Sequence, residues 1–394
     1  MRFLKDIDVR GKRLLIRVDY NVPIKDGVIT DDSRIKAGLS TLEYALENGA
    51  SIILCSHRGK PKGKREESLS LAPVAGRLSE MLGREVKMAP DCIGPEVLEM
   101  AEALEPGGVM LLENLRFHPG EKENDPDFSG KLAELADIYV NDAFGVAHRA
   151  HASVVGVVEK SRQACAGILL QKEWEYLNKA MQNPDRPFVA VSGGAKVSSK
   201  LGILKNLLSK VDCMIVGGAM ANTFLTALDY DMGGSLVESD LLDEARIILK
   251  QAREKKVEFY LPVDFICGKS PEDELGSGVR PYQNVPAGEM ALDIGPASYT
   301  LFAEVISRAG TIVWNGPMGA FENQQFSQGS INMARSIASA NALTIVGGGD
   351  TNALVYGTSY ADRFSFISTG GGSFLEFLEG RELPAFKALK ESGS

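Results

Sequence analysis

None of the five cysteines (Cys55, Cys92, Cys165, Cys213, Cys267) stands in the close C-x-x-C spacing of a zinc or redox site. Their odd number and wide scatter read as buried thiols in a reducing compartment, not as a disulfide framework. Nothing approaches the roughly 18 uninterrupted apolar residues of a membrane span. The start, MRFLKDIDVRGKRLLIRVDYNV, breaks every apolar run with charge, so no signal-peptide core is seen and a cytoplasmic location without membrane contact is expected. Positive charge is in deficit: the formal balance is -9, which disfavours general nucleic-acid binding because that affinity comes from neutralising phosphates. Any anion site must therefore be a local basic pocket. Also absent are G-x-x-x-x-G-K-[ST], G-x-G-x-x-G, H-E-x-x-H and G-x-S-x-G, and the mechanisms tied to those four signatures lose support.

What is present is an ordinary globular composition, 44% hydrophobic and 24% charged over 394 residues. At about 100–200 residues per domain this length predicts two domains. Short runs rich in Val, Ile and Leu recur at 13 to 18, 51 to 55, 109 to 112 and 137 to 141, and again at 188 to 192, 213 to 216, 257 to 261, 311 to 314 and 343 to 346. Such runs suit strands buried on both faces. Helix-period segments lie between them, at 33 to 47, 70 to 82 and 129 to 136, so the fold class is α/β: two doubly wound parallel-sheet domains. A long helical stretch at 161 to 182, closed by Asn183 and Pro184, is expected to join them. In open parallel sheets ligands collect at the carboxyl ends of the strands, so functional residues should follow the apolar runs.

They do follow them. After the first run stand Asp19 and Asn21, which suit either a substrate hydroxyl or a turn bonded to its own backbone. After the second comes Ser56-His57-Arg58-Gly59-Lys60-Pro61-Lys62-Gly63-Lys64, a basic loop whose glycines allow close approach to a phosphate. Arg34 at a helix start, Arg116 after LLENL and Arg149 in HRAH complete four basic sites at four strand exits. A lone arginine is usually a solvated surface charge; together these can form one anion pocket, since guanidinium forks grip phosphate or carboxylate bidentately. His148 and His151, at i and i+3, resemble a metal pair on a helix, but no Glu, Cys or further His stands at ligand spacing. No metal is assigned there.

The second half is written in glycine and lysine. Ser192-Gly193-Gly194-Ala195-Lys196-Val197-Ser198-Ser199-Lys200 follows a strand and is expected to open a helix, with Lys196 and Lys200 on one side of its first turns. Further glycine clusters occur at Gly217-Gly218, at Asn315-Gly316-Pro317-Met318-Gly319, at Gly347-Gly348-Gly349-Asp350-Thr351, and at Gly370-Gly371-Gly372, which opens the expected last helix. Glycine at one such junction is routine packing, whereas this many beside lysines suggest that backbone comes close to a ligand. Asp350 is then the natural ligand of Mg2+, which takes one or two carboxylates with phosphate oxygens. A basic pocket in one domain and a glycine- and lysine-lined pocket in the other suit phosphoryl transfer, which needs positioning and charge neutralisation more than a protein nucleophile.

Ten motifs in order, RVDYNVP, DDSRI, SHRGKPKG, LLENLRFHPGE, YVNDAFGVAHRAHAS, SGGAKVSSK, VGGAMANTF, WNGPMGAFE, GGGDTNA and STGGGSFLEFLEG, make the chain resemble the phosphoglycerate kinases almost end to end. The resemblance implies transfer of a phosphoryl group from 1,3-bisphosphoglycerate to ADP, giving 3-phosphoglycerate and ATP, by a monomer with Mg2+. It implies an N-terminal acid-binding domain over 1–168, a nucleotide-binding domain over 169–372, a segment 373–394 that returns to the first domain, and a hinged cleft that closes on both substrates. It also implies that Asp19, Asn21, Arg34, His57, Arg116 and Arg149 hold 3-phosphoglycerate, with Arg34 steadying the transferring group. Lys196 and Lys200 would contact the nucleotide phosphates and the phosphoryl in flight. Gly193, Gly194, Gly217, Gly218, Gly295 and Pro317 would line the nucleotide slot, and Glu322 would bond the ribose. Asn315, Gly348, Gly349 and Thr351 would reach phosphates, Asp350 would bind magnesium, and Gly371 and Gly372 would aim a helix N-terminus at developing charge. The chain departs from the family at Lys60, where arginine is usual; lysine lacks the bidentate fork, and Arg58 is the neighbouring candidate to compensate. Two rival readings are a dinucleotide oxidoreductase, which lacks its glycine fingerprint, and a non-catalytic nucleotide sensor, which needs no transition-state groups.

Overall fold

A computed structural model describes residues 1–276 and 278–393, and the chain divides into two compact units: Met1–Glu175 with the segment from Glu382 onward, and Tyr176–Arg381. In the first unit six strands, all parallel, lie in the order Val86–Met88, Val109–Leu111, Ser51–Cys55, Arg13–Arg17, Ile138–Asn141, Ala164–Ala166. The central strands are buried along their length because helices cover both faces, which is why Ser51–Cys55 reads SIILC without alternation. Helix Ser33–Glu47 turns Ile35, Gly38, Leu42 and Ala45 inward, a single stripe at helical spacing. With every strand parallel, the exits that carry Asp19, His57, Arg116 and Arg149 fall on one edge of the sheet.

The stretch 161 to 182 is not one helix. The helix begins at Ile168, because Ala164–Ala166 is an edge strand whose Tyr139↔Ala164 and Asn141↔Ala166 partners close the first sheet. Cys165 is wholly buried in that core, and packing overrides the weak local preference of Ala-Cys-Ala. Asp142 anchors the helix start: its Oδ1 accepts the amides of Leu169 and Leu170 at 3.0 and 3.1 Å. Burial pushes this carboxyl up to about 7. Its folded value thus exceeds its ordinary one, the native state holds more protons than the unfolded chain between roughly pH 4 and 7, and stability falls as pH rises across that window. Asp142→Asn is expected to flatten this slope in melting curves recorded from pH 4 to 7; an unchanged slope would exclude Asp142 as its source.

The second unit repeats the plan: six parallel strands in the order Glu258–Tyr260, Cys213–Val216, Phe188–Ser192, Thr311–Asn315, Leu343–Val346, Phe366–Ile367. It adds an antiparallel sheet, Gly278–Pro281, Asp264–Gly268, Met290–Ile294, that the sequence reading did not foresee. Helix Gly372–Leu378 is not the last one; Pro384–Glu391 follows and belongs to the first unit, where Phe386 stacks on Phe144 at 6.1 Å. The five cysteines are buried and free.

Candidate active site

In the first unit the strand exits are sewn together by polar side chains. The Asp19 carboxylate takes Arg34 Nη1 at 2.9 Å and the Asn21 amide at 3.3 Å, so the self-bonded turn and the charged contact coexist. Arg34 reaches it from the first turn of helix Ser33–Glu47. Asn21 Oδ1 accepts the Gly59 amide at 2.9 Å, and Arg116 Nη1 donates to the Gly59 carbonyl at 2.8 Å, tying the first, second and third exits together.

The cations feel one another. Burial pushes His57 well below its ordinary value; Asp19 opposes this, while Arg17, Arg116 and Arg34 reinforce it. Burial also lowers Arg116, with Arg17 and Arg149 adding to the effect. Burial would raise Asp19, yet Arg34, His57, Arg17 and the Asn21 amide together hold it below the usual carboxylate range. Arg17, Arg34 and Arg116 therefore share one neighbourhood around His57, Arg149 acts on Arg116 from the exposed side, and Arg116 Nε is buried with no partner among the described residues. An anion with several oxygens would satisfy it.

Other sequence candidates are placed differently. Arg58 is buried and its Nη1 is taken by the carbonyls of Ser68 and Ser70 at 2.6 and 3.2 Å, whereas Lys60 is exposed. Arg149 is exposed, and the His148–His151 stretch is a turn and extended chain, so the helical pairing behind the metal comparison does not form. Asp91, Cys92 and His118 bring three donor atoms within 4.8 Å. That group is closed by its own hydrogen bonds, the Cys92 thiol donating to Glu113 O at 2.9 Å and His118 Nε2 meeting Asp91 Oδ1 at 2.6 Å.

In the second unit, the expected helix after Gly194 begins only at Leu201, with Lys200 as its cap, so Lys196 and Lys200 do not share helical turns. Lys196 is exposed; Lys200 is buried, its Nζ donating to Gly193 O at 2.6 Å and Asn315 O at 2.9 Å. Desolvation pushes the amine down to about 7, with Asp350 opposing. Many of the glycines serve loop-to-loop contact first: a Cβ on Gly193 would lie 2.1 Å from Pro317 O, and one on Gly218 (φ +65) 2.6 Å from Gly194 N. Gly217 faces Met318, while Gly349 and Gly371 have open space around them. The backbone approach foreseen from composition is thus partly between the exits themselves.

These exits border a cavity of about 340 Å3 lined by Gly194, Gly218, Pro317, Glu322 and Asp350, with Leu236, Met290, Leu292 and Phe321 supplying apolar walls. The walls from the Met290–Ile294 strand were missed because MALDI was not separated from its surroundings as a strand; its run of four apolar residues in five was the available signal. Asn315 Nδ2 donates to Gly347 O at 2.6 Å, leaving Oδ1 buried without a partner among the described residues. Thr351 Oγ1 accepts the Gly316 amide at 2.7 Å. Gly348 caps helix Gly349–Tyr356, and Asp350 is exposed in its first turn. Gly371 caps helix Gly372–Leu378. Gly295 caps helix Pro296–Ser307 and packs against Asp264.

Comparison with known proteins agrees with this plan. The chain is 59% identical over 397 residues to the phosphoglycerate kinase of Maridesulfovibrio salexigens, covering all of both chains, and 55% identical to that of Desulfotalea psychrophila, covering 99% and 100%. Among solved structures, it superposes on phosphoglycerate kinase from Coxiella burnetii with a TM-score of 0.92 at 45% identity, covering 100% of this chain and 99% of that one. The Pyrococcus horikoshii OT3 enzyme gives 0.87 at 33%, with the same coverage. A family model described as phosphoglycerate kinase matches residues 4–381, and with relatives this similar over nearly the whole of both chains, the chain belongs to the phosphoglycerate kinase family.

Proposed function

We propose that the chain transfers a phosphoryl group between 1,3-bisphosphoglycerate and ADP, producing 3-phosphoglycerate and ATP. The observation that carries this is the cluster of Arg17, Arg34 and Arg116 around buried His57, with Arg149 acting on Arg116 and with Arg116 Nε unpartnered among the described residues. Such a cluster is repulsive until an anion enters it, and a phosphorylated carboxylic acid supplies two anionic groups. In this reading Asp19 and Asn21 orient the substrate hydroxyl and carboxyl ends, Arg34 steadies the transferring group, and Lys60 and Arg149 add mobile charge at the rim.

The glycine-lined cavity of the second unit accepts the nucleotide. Gly193, Gly194, Gly217, Gly218 and Pro317 border the flat part of the slot, Glu322 meets the ribose, and Asn315, Gly348, Gly349 and Thr351 face the phosphates. Lys196 and Lys200 neutralise charge on the phosphate chain, and the amides of Gly371 and Gly372 stabilise charge on the phosphoryl in transfer. Gly295, packed against Asp264 at the start of helix Pro296–Ser307, adds to the nucleotide slot. For Mg2+, the fit is an exposed carboxylate at a helix start bordering the cavity, free to share a hydrated ion with phosphate oxygens. When bound there through Asp350, the ion neutralises nucleotide phosphate charge.

A coupled assay for ATP formation from ADP and 1,3-bisphosphoglycerate tests the reading directly; absence of turnover in folded protein would reject it. Asp350→Asn is expected to raise the Mg2+ concentration for half-maximal rate by roughly 10–100-fold, the range for losing one supporting group. The KM for 3-phosphoglycerate should stay put, and a magnesium titration of both enzymes separates the outcomes.

A further inference from the structure

Arg17 closes strand Arg13–Arg17 with no exposed surface, and each side of its guanidinium is engaged. Nε donates to Ser153 Oγ at 2.9 Å, Nη1 donates to the Val18 carbonyl, and Nη2 meets His57 Nδ1 at 3.2 Å. A guanidinium offers donors only and keeps its charge, so in the contact with His57 the ring nitrogen must be the acceptor. An imidazole whose Nδ1 accepts carries its proton on Nε2, and it cannot become imidazolium without losing that contact. Asp19 does not compete for Nδ1, because its Oδ1 lies 3.9 Å away.

The seat of Arg17 is itself built. Ser153 lies in the π-helical turn Ala152–Gly156, a form of helix often found at functional sites. Tyr139 Oη donates to the Ser153 carbonyl at 2.6 Å, and wholly buried Glu121 accepts the Ser153 amide at 2.9 Å and its hydroxyl at 2.6 Å. A serine hydroxyl has one proton. Given to Glu121, it leaves a lone pair for Arg17 Nε, so the hydrogen bonds can run in one direction only, from Arg17 through Ser153 to Glu121. The carboxylate also adds to Asp19 in balancing the buried guanidinium.

We propose that Glu121, acting through Ser153 and Arg17, is a positioning residue that holds His57 in the Nε2–H tautomer, so that the ring meets the anionic substrate as a hydrogen-bond donor. Burial keeps the ring from taking a second proton; of the charged groups facing it, Asp19 opposes this and Arg17, Arg116 and Arg34 reinforce it. The substrate half of this inference rests on the first unit being the 3-phosphoglycerate site; the tautomer half does not.

The test is ring 15N NMR of the intact, uniformly labelled protein, with the His57 signals assigned by loss in His57→Gln. The expected wild-type spectrum has a bare Nδ1 and a protonated Nε2, unchanged by adjustment of pH through the ordinary histidine range. A protonated Nδ1 would overturn the proposal at once, without any variant or activity measurement. In Glu121→Gln the amide can donate to Ser153 and turn its hydroxyl towards Arg17 Nε, which has no lone pair to accept it. Arg17 is then released from His57 and a mixed tautomer is expected, with KM for 3-phosphoglycerate raised about tenfold and KM for ADP unchanged; tenfold corresponds to the loss of about one hydrogen bond to a charged group. Arg17→Lys, which has no fork to serve His57 and Ser153 together, should behave alike. A folded Glu121→Gln protein with wild-type tautomer and KM would reduce Glu121 to packing and sink the idea. If wild-type protein shows no turnover, the kinase reading fails while the spectrum still decides the tautomer.

Discussion

Replacing Lys200 by alanine is expected to lower kcat by about 10²–10³-fold, the loss typical of removing one preorganised group that stabilises transition-state charge. The amine is preorganised by its seat. Its Nζ is held by two backbone carbonyls, Gly193 O and Asn315 O, in a buried position where desolvation pushes it down to about 7. Among the described residues no anion is paired closely with it, and Asp350 is the one charge that pulls it back up. In the proposed reaction the group thus meets a phosphate without a carboxylate already paired to it. A polyphosphate beside it favours the ammonium form, so kcat/KM for ADP in the wild type should decline as pH rises above about 7. That decline should vanish in Lys200→Arg, whose guanidinium does not deprotonate. Stopped assays of ATP formation across pH decide both points, and a Lys200→Ala enzyme with wild-type kcat would remove this amine from the chemistry.

Arg34→Ala should reduce kcat/KM for 3-phosphoglycerate by about 10³-fold, the lower end for an arginine that stabilises phosphoryl transfer. Its contribution to stability is small by comparison, since the side chain is 38% exposed and its ion pair with Asp19 is correspondingly screened. Melting temperature and rate should therefore part company in this variant. Arg34→Lys should recover only a fraction of the rate, because an ammonium cannot hold Asp19 and grip an oxygen pair at the same time. The reverse reaction, started from ATP and 3-phosphoglycerate, reads this directly. Equal losses in stability and rate would mean that Arg34 acts by holding the loop at Asp19 and Asn21.

Much of the architecture was legible because doubly covered parallel strands leave an unmistakable trace. SIILC, FVAVS, CMIV and LTIV each became a strand with the bounds their apolar runs suggested. Reading failed where local composition was indifferent. Ala164–Ala166 has no strand character of its own and owes its state to the neighbouring Ile138–Asn141, while Asp264–Gly268 and Gly278–Pro281 are short, polar-interrupted and paired across a loop.

Site legibility followed a similar rule. Exposed and loop residues such as Lys196, Asp350 and Arg149 advertise themselves by charge beside glycine. Arg17 did not, because a basic residue at the end of the apolar run Leu14-Leu15-Ile16 looks like a charge emerging into solvent until its burial is known. Glu121 and Ser153 are 32 positions apart and meet only through the fold, so no spacing rule could pair them. Arg58 shows the converse: basic and next to His57, it is spent on the carbonyls of Ser68 and Ser70.

The helix Pro384–Glu391 belongs to the same compact unit as residues 1–175, although 206 intervening positions form the other unit. Its Ala385, Phe386 and Leu389, with Leu383 at its cap, are buried there, and the Ala385 amide donates to Ala147 O at 3.1 Å. A ribosome delivers the chain in order, so the earliest-made unit must wait with that apolar patch uncovered until translation has passed through everything between. Nascent protein is consequently most vulnerable to aggregation or chaperone capture during this interval, even though the first sheet already has all its strands.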